Sequence, residues 1–389
     1  MYVVGIDISK FKHDCFIATE TGQVIQKTFT FSNDFRGFSD LLLKLRSLDS
    51  TQEIRIGLEA TGHYGSNLKI FLHDNGFSFM ELNPLLSERY RQVSSLRKTK
   101  TDKIDCVMIS KLLLSLDYKP YPLKSYHMLA LKSLVRLRYR LVESRTKHKV
   151  RLQNIMDLTF PEFFKMFSDP FGQTSMYLLS HYPTAPKLAT VCVDSLFEEI
   201  HRISRGQYSY AKLQRLIELA QSTIGHSNDI FELQIQSTLD QLKLYTNQID
   251  QIEIKIIGIM NQYQSMITTI KGISVISAAS ILSEYGDLSL FQSPAQMLAF
   301  AGLEPSVYQS GTQQFSGRMV KRGSAFLRAT LMNVAPYVVY HNPVFHTYYW
   351  KKRNEGKPNR VALSHVVKKL LRVIYKLEKD QIPFQSRSI

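Results

Sequence analysis

The sequence predicts an α/β domain over residues 1–117, a helical, coiled-coil-like region over 118–264 and a mostly helical region over 265–389. Three observations predict this order. Short apolar segments rich in β-branched and aromatic residues dominate the first part, strand signals fade after about residue 117, and a seven-residue apolar repeat follows. With 389 residues and 44% hydrophobic content, the chain is long enough for two or three domains with their own cores.

The first domain opens with three segments that have strand character, YVVGIDIS, DCFIATE and VIQKTFTFS. Turns at SKFKH and TGQ separate them, so we expect a three-strand antiparallel meander. There follow a helix in DFRGFSDLLLKLRSL, a strand in EIRIGLEAT, a short helix in GSNLKIFLHDNG, a strand in FSFMELNP and a helix in TDKIDCVMISKLLLSL with Thr101 as its N-cap. Three antiparallel strands followed by alternating helices and strands match the ribonuclease-H-like topology, which nucleases and sugar kinases share.

The middle region contains a strongly basic helical segment. Between Lys132 and Arg151 it has eight Lys and Arg residues and a single acid, Glu143. A charge run is usually a solvated face, but one this one-sided more often meets phosphates. The residues at helical spacing that form the basic stripe are Arg136, Arg140, Lys147 and Arg151.

A second long helix is predicted around residues 229–261. Ile235, Leu242, Ile249 and Ile256 repeat every seven residues, which is typical of a coiled-coil-like arm. Such an arm is either a homodimer seam or an intramolecular hairpin. Between the two long helices, SDPFG and HYPTAP predict an irregular region.

The last region opens with IKGISVISAASILSEYGDL, which resembles a helix–hairpin–helix, a motif that holds a DNA backbone through main-chain amides. The next stretch, FAGLEPSVYQSGTQQFSGRMVKRGSAFLRATL, is predicted to be a basic loop before another helix. It brings four cations within reach of Ser310: Arg318, Lys321, Arg322 and Arg328.

The charge balance predicts a polyanionic partner. The chain has 49 Lys and Arg against 33 Asp and Glu, a formal net charge of +16. No apolar run approaches the ~18 residues that span a bilayer, and the start MYVVGIDISK lacks the pattern of a signal peptide, so we expect a soluble, cytoplasmic protein without a membrane partner. The cysteines Cys15, Cys106 and Cys192 lie far apart, which fits a reducing compartment and disfavours a structural zinc site.

Four carboxylates are the candidate catalytic residues. Asp7 ends the first strand and Glu59 the fourth, and these two strands are neighbours in the predicted topology. Asp102 and Asp105 lie three residues apart on one helix face. Each acid alone could be a turn, cap or surface residue, but together they would repel unless hard cations lay between them. The group therefore predicts a site for Mg²⁺, with two ions that act on a phosphodiester.

These segments together resemble the DEDD transposases of the insertion-sequence 110 class, the bridge-RNA-guided recombinases. Matching motifs are GIDISK with Asp7, LEATGHY with Glu59, LNP at 82–84 and LRKTKTDKIDC with Asp102 and Asp105. Further matches are IKGISVISAASIL, FAGLEPSVYQSG and GRMVKRGSAFLRATL. The resemblance spans both terminal regions, whereas the middle agrees only in its helical character and is longer than usual for the family.

The resemblance implies a RuvC-like N-terminal domain, a coiled-coil arm and a C-terminal transposase domain with a nucleophilic serine. By position this serine is Ser310, in YQSG, and it would form a covalent phosphoserine link to DNA. Ser306 and Ser316 would compete for the role without the family motif. Implied partners are donor and target DNA, a structured noncoding guide RNA and further copies of the chain, as a dimer or tetramer. Mg²⁺ is the implied cofactor, with Mn²⁺ as a substitute, and the implied location is the bacterial cytoplasm, at the nucleoid during the reaction.

Three other classes of protein share part of this pattern. A sugar or acetate kinase of the actin-like superfamily would need a second related domain and Gly-rich phosphate loops, which are not visible in the sequence. A non-catalytic nucleic-acid-binding protein would not need all four acids. A RuvC-like Holliday-junction resolvase, acting through metal-activated water, is the closest alternative, but it would need neither Ser310 nor the long C-terminal region.

Overall fold

A computed structural model of the chain describes residues 1–59, 63–82, 84–94, 102–118, 120, 126–263, 265–286, 288, 291–310, 313–319 and 321–385. Within these ranges only the backbone is described at residues 85, 91–94, 102–103, 126–127, 305–310 and 313–318. The chain forms two compact units, Met1–Ser125 and Tyr126–Ile389.

The first unit is built on a five-stranded mixed sheet. Its strands are β1 (Tyr2–Ile8), β2 (Lys12–Thr19), β3 (Val24–Ser32), β4 (Ile54–Glu59) and β5 (Phe79–Leu82). Their order is β3-β2-β1-β4-β5, with antiparallel pairing from β1 to β3 and parallel pairing of β1, β4 and β5. The structure thus confirms the predicted antiparallel meander and the neighbouring first and fourth strands.

Helices cover both faces of this sheet. They are α1 (Phe35–Arg46), α2 (Ser66–Asp74), α3 (Pro84–Ser94) and α4 (Asp102–Ser115), of which α3 was not predicted. Side chains alternate between the faces of a strand. Val4, Ile6 and Leu58 accordingly share a core with α1 and α2, whereas the intervening residues face α4. The predicted N-cap of α4, Thr101, lies outside the described residues.

The second unit contains a long antiparallel helical hairpin. Helices α5 (Tyr126–Thr159) and α10 (Asp229–Met260) pack together along their length. Ile256 of α10 shares a core with Leu131 near the start of α5, and Ile235 shares another with Leu152 near the end of α5. The seven-residue repeat of α10 is buried at each of its predicted positions. Within the chain, the repeat therefore forms the intramolecular hairpin, one of the two predicted arrangements.

Most of the segment between α5 and α10 is helical, and the predicted irregular structure is confined to short connections that include SDPFG and the middle of HYPTAP. The segment contains a 3-10 helix (Phe163–Met166), α6 (Gln173–His181), α7 (Ala185–Ala189), α8 (Val193–Ile203) and α9 (Tyr210–Ser222). Pro and Gly residues interrupt this segment in the sequence, but the helices between them are long enough to bury apolar residues. Phe163, Leu179, Ile200 and Leu216 build its core against α5 and α10.

The C-terminal helices pack around the other end of the hairpin. A 3-10 helix (Met266–Thr269) precedes α11 (Val275–Tyr285) and α12 (Pro294–Ala301), so the first half of the predicted helix–hairpin–helix is only a 3-10 turn. Helices α13 (Ala325–His341), α14 (Pro343–Asn354) and α15 (Asn359–Asp380) complete this core. Among the described residues, no helix is long and apolar enough to cross a membrane.

Candidate active site

Two of the four predicted carboxylates lie side by side at one edge of the sheet. The parallel pairing of β1 and β4 runs from Tyr2 opposite Ile54 to Ile6 opposite Leu58. Asp7 and Glu59 are the next residues on the two strands, and both are half-buried. The pairing of first and fourth strands thus brings these acids to the same edge, as the sequence predicted.

A pair of glycines fixes the face on which these acids lie. Gly5 and Gly57 are directly opposite each other in the register of β1 and β4. A Cβ at Gly5 would lie 2.0 Å from the carbonyl oxygen of Cys106, and one at Gly57 would lie 2.8 Å from Leu113 Cδ1, both on α4. Asp7 and Glu59 each follow a glycine by two residues and therefore share the face on which α4 packs.

Helix α4 brings a third carboxylate to the site. Glu59 and Asp105 line the same cavity, of about 220 Å³, together with Ser87, Glu88 and Tyr90 of α3. Asp105 is half-buried. Asp102 is the first residue of α4, and its side chain lies outside the described residues. Glu88 was missed by the sequence analysis because α3 was not predicted.

Cys106 of α4 lies against Gly5 of β1, two residues before Asp7. The pKa of the Cys106 thiol is raised to about 11, mainly by burial and further by the negative charges of Asp14 and Asp7. Asp14 was also missed by the sequence analysis. It lies opposite Asp7 in the β1–β2 register, is 3% exposed and accepts a hydrogen bond from Thr30 Oγ1 at 2.5 Å. Only the turn length between β1 and β2 could have indicated this pairing.

The site suits a hard cation by the chemistry of its donors. Carboxylate oxygens are the ligands that Mg²⁺ prefers, and Asp7, Glu59 and Asp105 supply them at one sheet edge. Among the described side chains, no three His, Cys, Asp or Glu residues are grouped so as to hold a metal ion. Asp7, Glu59 and Asp105 are among those side chains, whereas the side chain of Asp102, the fourth predicted ligand, is not, so the metal site stays a prediction.

Gly5→Ala is expected to separate α4 from the sheet. The new methyl group would meet the backbone of Cys106 and Ser110, which cannot rotate away, so α4 must shift as a whole. Overpacking of this kind costs about 1–3 kcal/mol or more. Hydrogen–deuterium exchange of the α4 amides should therefore speed up markedly. Gly57→Ala is the matched control, because its methyl group meets side-chain atoms of Leu113 and Ile109 and no backbone atom of α4 as close. Equal effects of the two variants would contradict this explanation.

The predicted nucleophile lies in a β-hairpin rather than in a loop. Strands β6 (Pro305–Ser310) and β7 (Gln313–Met319) pair antiparallel, with Ser310 opposite Gln313. The prediction of a loop here was wrong, because the alternation in SVYQS and the aromatic residue in QQFSG favour strands. Ser310 is the last residue of β6, and its side chain and that of Arg318 lie outside the described residues.

The cations that follow the hairpin have different roles in the structure. Lys321 and Arg322 are exposed. Arg328 donates hydrogen bonds from Nη1 to the carbonyl oxygens of Ala301 and Gly323, at 3.1 and 3.3 Å. These contacts fix the turn before α13, so part of the donor capacity of Arg328 is used within the protein.

The four residues of the basic stripe on α5 also differ in their exposure and contacts. Arg140, Lys147 and Arg151 are exposed, as a phosphate-binding surface requires. Arg136 instead holds the buried Glu284 of α11, with Nε 2.7 Å from Oε1 and Nη2 3.1 Å from Oε2. The guanidinium of Arg136 is therefore bound within the protein, and the proposed nucleic-acid surface comprises the other three residues of the stripe.

Glu284 joins three helices through its ionised carboxylate. Its side chain is 2% exposed and also contacts Lys132 at 3.5 Å and Ser324 Oγ at 2.8 Å. Burial alone would raise the pKa of Glu284, but the hydrogen bond from Arg136, the charge of Lys132 and the hydrogen bond from Ser324 outweigh it and lower the pKa. The resulting stability is full above the ordinary glutamate pKa and is lost as the pH falls through the lowered value.

Arg136→Ala should lower the free energy of unfolding by roughly 3 kcal/mol, since the buried carboxylate of Glu284 loses both hydrogen bonds from the guanidinium, while its contacts with Lys132 and Ser324 remain. The fluorescence of Trp350, the one tryptophan of the sequence, reports unfolding of the second unit during urea titration. Arg140→Ala removes a neighbouring exposed arginine and should change stability by less than about 0.5 kcal/mol. Similar losses in the two variants would mean that Arg136 is an ordinary surface residue.

Comparisons with known proteins give matches over most of the chain. Residues 4–161 match the family model DEDD_Tnp_IS110, described as a transposase, and residues 264–350 match Transposase_20, described as the transposase of the IS116/IS110/IS902 family. Pilin gene-inverting proteins of Moraxella bovis and Moraxella lacunata are each 24% identical over 393 residues, covering 99% of this chain and 98% of theirs. A transposase for insertion sequence element IS1111A from Coxiella burnetii is 29% identical over 89 residues, which cover 23% of this chain and 24% of the relative.

Proposed function

Because the chain belongs to the IS110 family of transposases, we propose that it is an RNA-guided DNA recombinase that cleaves and rejoins strands through a metal site and Ser310. The family assignment gives the reaction class, a transposase or recombinase acting on DNA. The observation that carries the mechanistic part is the convergence of Asp7, Glu59 and α4 at one sheet edge. In this proposal the first unit has a RuvC-like, ribonuclease-H-like fold.

The carboxylates account for the cleavage chemistry. Asp7, Glu59, Asp102 and Asp105 would hold divalent ions, Mg²⁺ or Mn²⁺, which lower the pKa of a bound hydroxyl and offset charge on the phosphate. The chain's own contribution is rigidity. Gly5 and Gly57 let α4 approach the strands closely, so the acids of the helix and those of the sheet keep a fixed spacing.

Ser310 would be the attacking group. Its Oγ loses a proton and forms a bond to phosphorus, while the bond from phosphorus to the leaving strand's oxygen breaks and that oxygen takes up a proton. One phosphate ester replaces another, so the strand can be rejoined elsewhere without ATP. A serine hydroxyl needs activation at neutral pH, and the carboxylate site of the first unit would supply it. Assembly of several copies of the chain would bring these parts together.

A guide RNA would choose the donor and target DNA. The test is recombination between two labelled DNA molecules by the purified protein, with and without a transcript of the noncoding DNA beside its gene. We expect product only when the transcript is present, and a changed target when its pairing loops are changed. Equal recombination without RNA would overturn the guided part of the proposal and leave the transposase activity standing.

The exposed part of the α5 stripe should contribute to nucleic-acid binding. Changing Arg140, Lys147 and Arg151 together to Ser should lower the log–log salt slope of binding by about 2–3, since each lost phosphate contact removes about 0.7–0.9. Binding is measured by fluorescence anisotropy over a range of salt. A variant with Lys165, Arg215 and Lys255 changed to Ser loses the same charge from other exposed positions. If both variants keep the wild-type slope, the stripe is only a solvated face.

A further inference from the structure

A large basic groove lies in the second unit, where the end of α5 meets the helices that follow the first family match. It has a volume of about 840 Å³ and opens between α5, α6, α8 and α10. Asp240 is the one acid among the described residues that line it. We call this cavity the middle groove, and its cations are Arg145, Lys149, Arg202, Arg205 and Lys243.

The cations of the middle groove are not held in close ion pairs with carboxylates. Arg202 reaches Glu199 at 3.6 Å, but its side chain is 79% exposed, so the pair is weak. For the other four, the described part of the chain offers no carboxylate within 4.0 Å. Like charges gathered around one concave surface focus a positive potential into it. The middle groove is therefore suited to a polyanion.

The walls of the middle groove add apolar and aromatic surface. Phe171, Met176, Tyr177 and Leu239 line it. The ammonium group of Lys149 lies over the ring of Phe171, 4.7 Å from its centroid. A nucleic-acid duplex offers a convex phosphate surface and keeps its bases stacked inside. Unpaired nucleotides can instead enter a concave site and place bases against apolar and aromatic side chains, with phosphates on the surrounding cations.

We propose that the middle groove binds a single-stranded segment of nucleic acid, with phosphates on its five cations and bases against the wall that includes Phe171 and Tyr177. This inference rests on the nucleic-acid part of the proposed function. It concerns a surface separate from the α5 stripe, since Arg140, Lys147 and Arg151 do not line the middle groove. An unpaired RNA loop and a displaced DNA strand share this chemistry, and binding assays with both distinguish them.

The experiment compares two variants of the full-length protein. In the groove variant, Arg202, Arg205 and Lys243 are changed to Glu. In the control variant, Lys165, Arg215 and Lys255, exposed residues of the same region that do not line the middle groove, are changed to Glu. The probes are fluorescent oligouridine, oligothymidine and a DNA duplex, each of about 20 nucleotides, longer than the roughly 4–16 nucleotides that one OB-fold binds.

The groove variant should bind at least one single-stranded probe about tenfold or more weakly, with a salt slope lower by about 2, since each single-strand contact contributes about 0.7. Duplex binding and the control variant should stay near wild type. A loss confined to oligouridine identifies RNA as the occupant, and one confined to oligothymidine identifies DNA.

Three results would overturn the inference: wild-type single-strand binding by the groove variant, equal losses in the control variant, or displacement of the probe by uridine monophosphate at matched nucleotide concentration. The last would indicate a small-anion site. Wild-type protein that binds neither single-stranded probe would also overturn the inference, whereas the proposed function is judged by the RNA-dependent recombination test.

Discussion

Ser310→Ala is expected to abolish the covalent protein–DNA complex while leaving nucleic-acid binding intact. The serine oxygen supplies the bond to phosphorus, and alanine has no atom that can replace it. Ser310 ends β6 and is followed by two residues before β7, so the loss of one hydroxyl at this position leaves the strand pairing unchanged. The reaction is stopped with denaturant, and labelled DNA that migrates with the protein is measured. Wild type should give such a complex, and Ser310→Ala should give none.

Serines elsewhere in the same hairpin provide the controls. Ser306 lies on β6 and Ser316 on β7, and replacing either with alanine should leave the covalent complex in place. If Ser310→Ala still forms the complex, another residue is the nucleophile. If wild type never forms it and leaves free DNA ends instead, water is the attacking group, and a RuvC-like hydrolytic mechanism describes the enzyme better.

The sheet of the first unit could be predicted because its signals are local. Strand character and turn residues predicted the strands, and their order, which matches the ribonuclease-H-like topology, predicted that β1 and β4 are neighbours. That pairing brings Asp7 next to Glu59. The position of Asp14 opposite Asp7 depends on the β1–β2 register, which a single sequence does not fix. Helix α3, and with it Glu88, went unpredicted because its start at Pro84 and its polar composition resemble those of a loop.

The roles of the basic residues depend on contacts between distant parts of the chain. Arg136 and Arg140 lie on the same stripe of α5, and spacing alone makes them equivalent. Glu284 lies 148 residues from Arg136 in the sequence. Its buried carboxylate accepts a hydrogen bond from the guanidinium of Arg136, and this contact gives the two arginines different roles. The middle groove is likewise lined by α5 and by helices that were not predicted, because Pro and Gly residues suggested irregular structure in that segment. Helical periodicity shows which charged residues share one face of a helix. It cannot show which of them form ion pairs in the folded chain.

Asp7→Asn and Glu59→Gln should each lower strand cleavage in Mg²⁺ about 10³-fold. A bound ion contributes several kcal/mol of charge stabilisation at the transition state, and each 1.36 kcal/mol corresponds to a factor of ten in rate. An amide keeps the size of the side chain but loses its negative charge, and both residues lie at strand ends, so the fold should persist. Cleavage of labelled DNA in a single turnover measures the effect, and Asp102→Asn and Asp105→Asn should behave alike.

The variant Glu88→Gln tests whether the effect on cleavage comes from loss of a metal ligand or from loss of any negative charge in the cavity. Glu88 lines the same cavity as Glu59 and Asp105 but is not one of the four proposed ligands. A second measurement does not depend on activity. Mg²⁺ that binds the folded protein raises its melting temperature by mass action, so the rise should disappear in Asp7→Asn and remain in Glu88→Gln. Wild-type cleavage by Asp7→Asn would remove Asp7 from the metal site. A melting temperature that Mg²⁺ leaves unchanged in wild type would instead count against resident metal binding by the protein without DNA, because the carboxylates proposed as ligands should attract the ion even before substrate arrives.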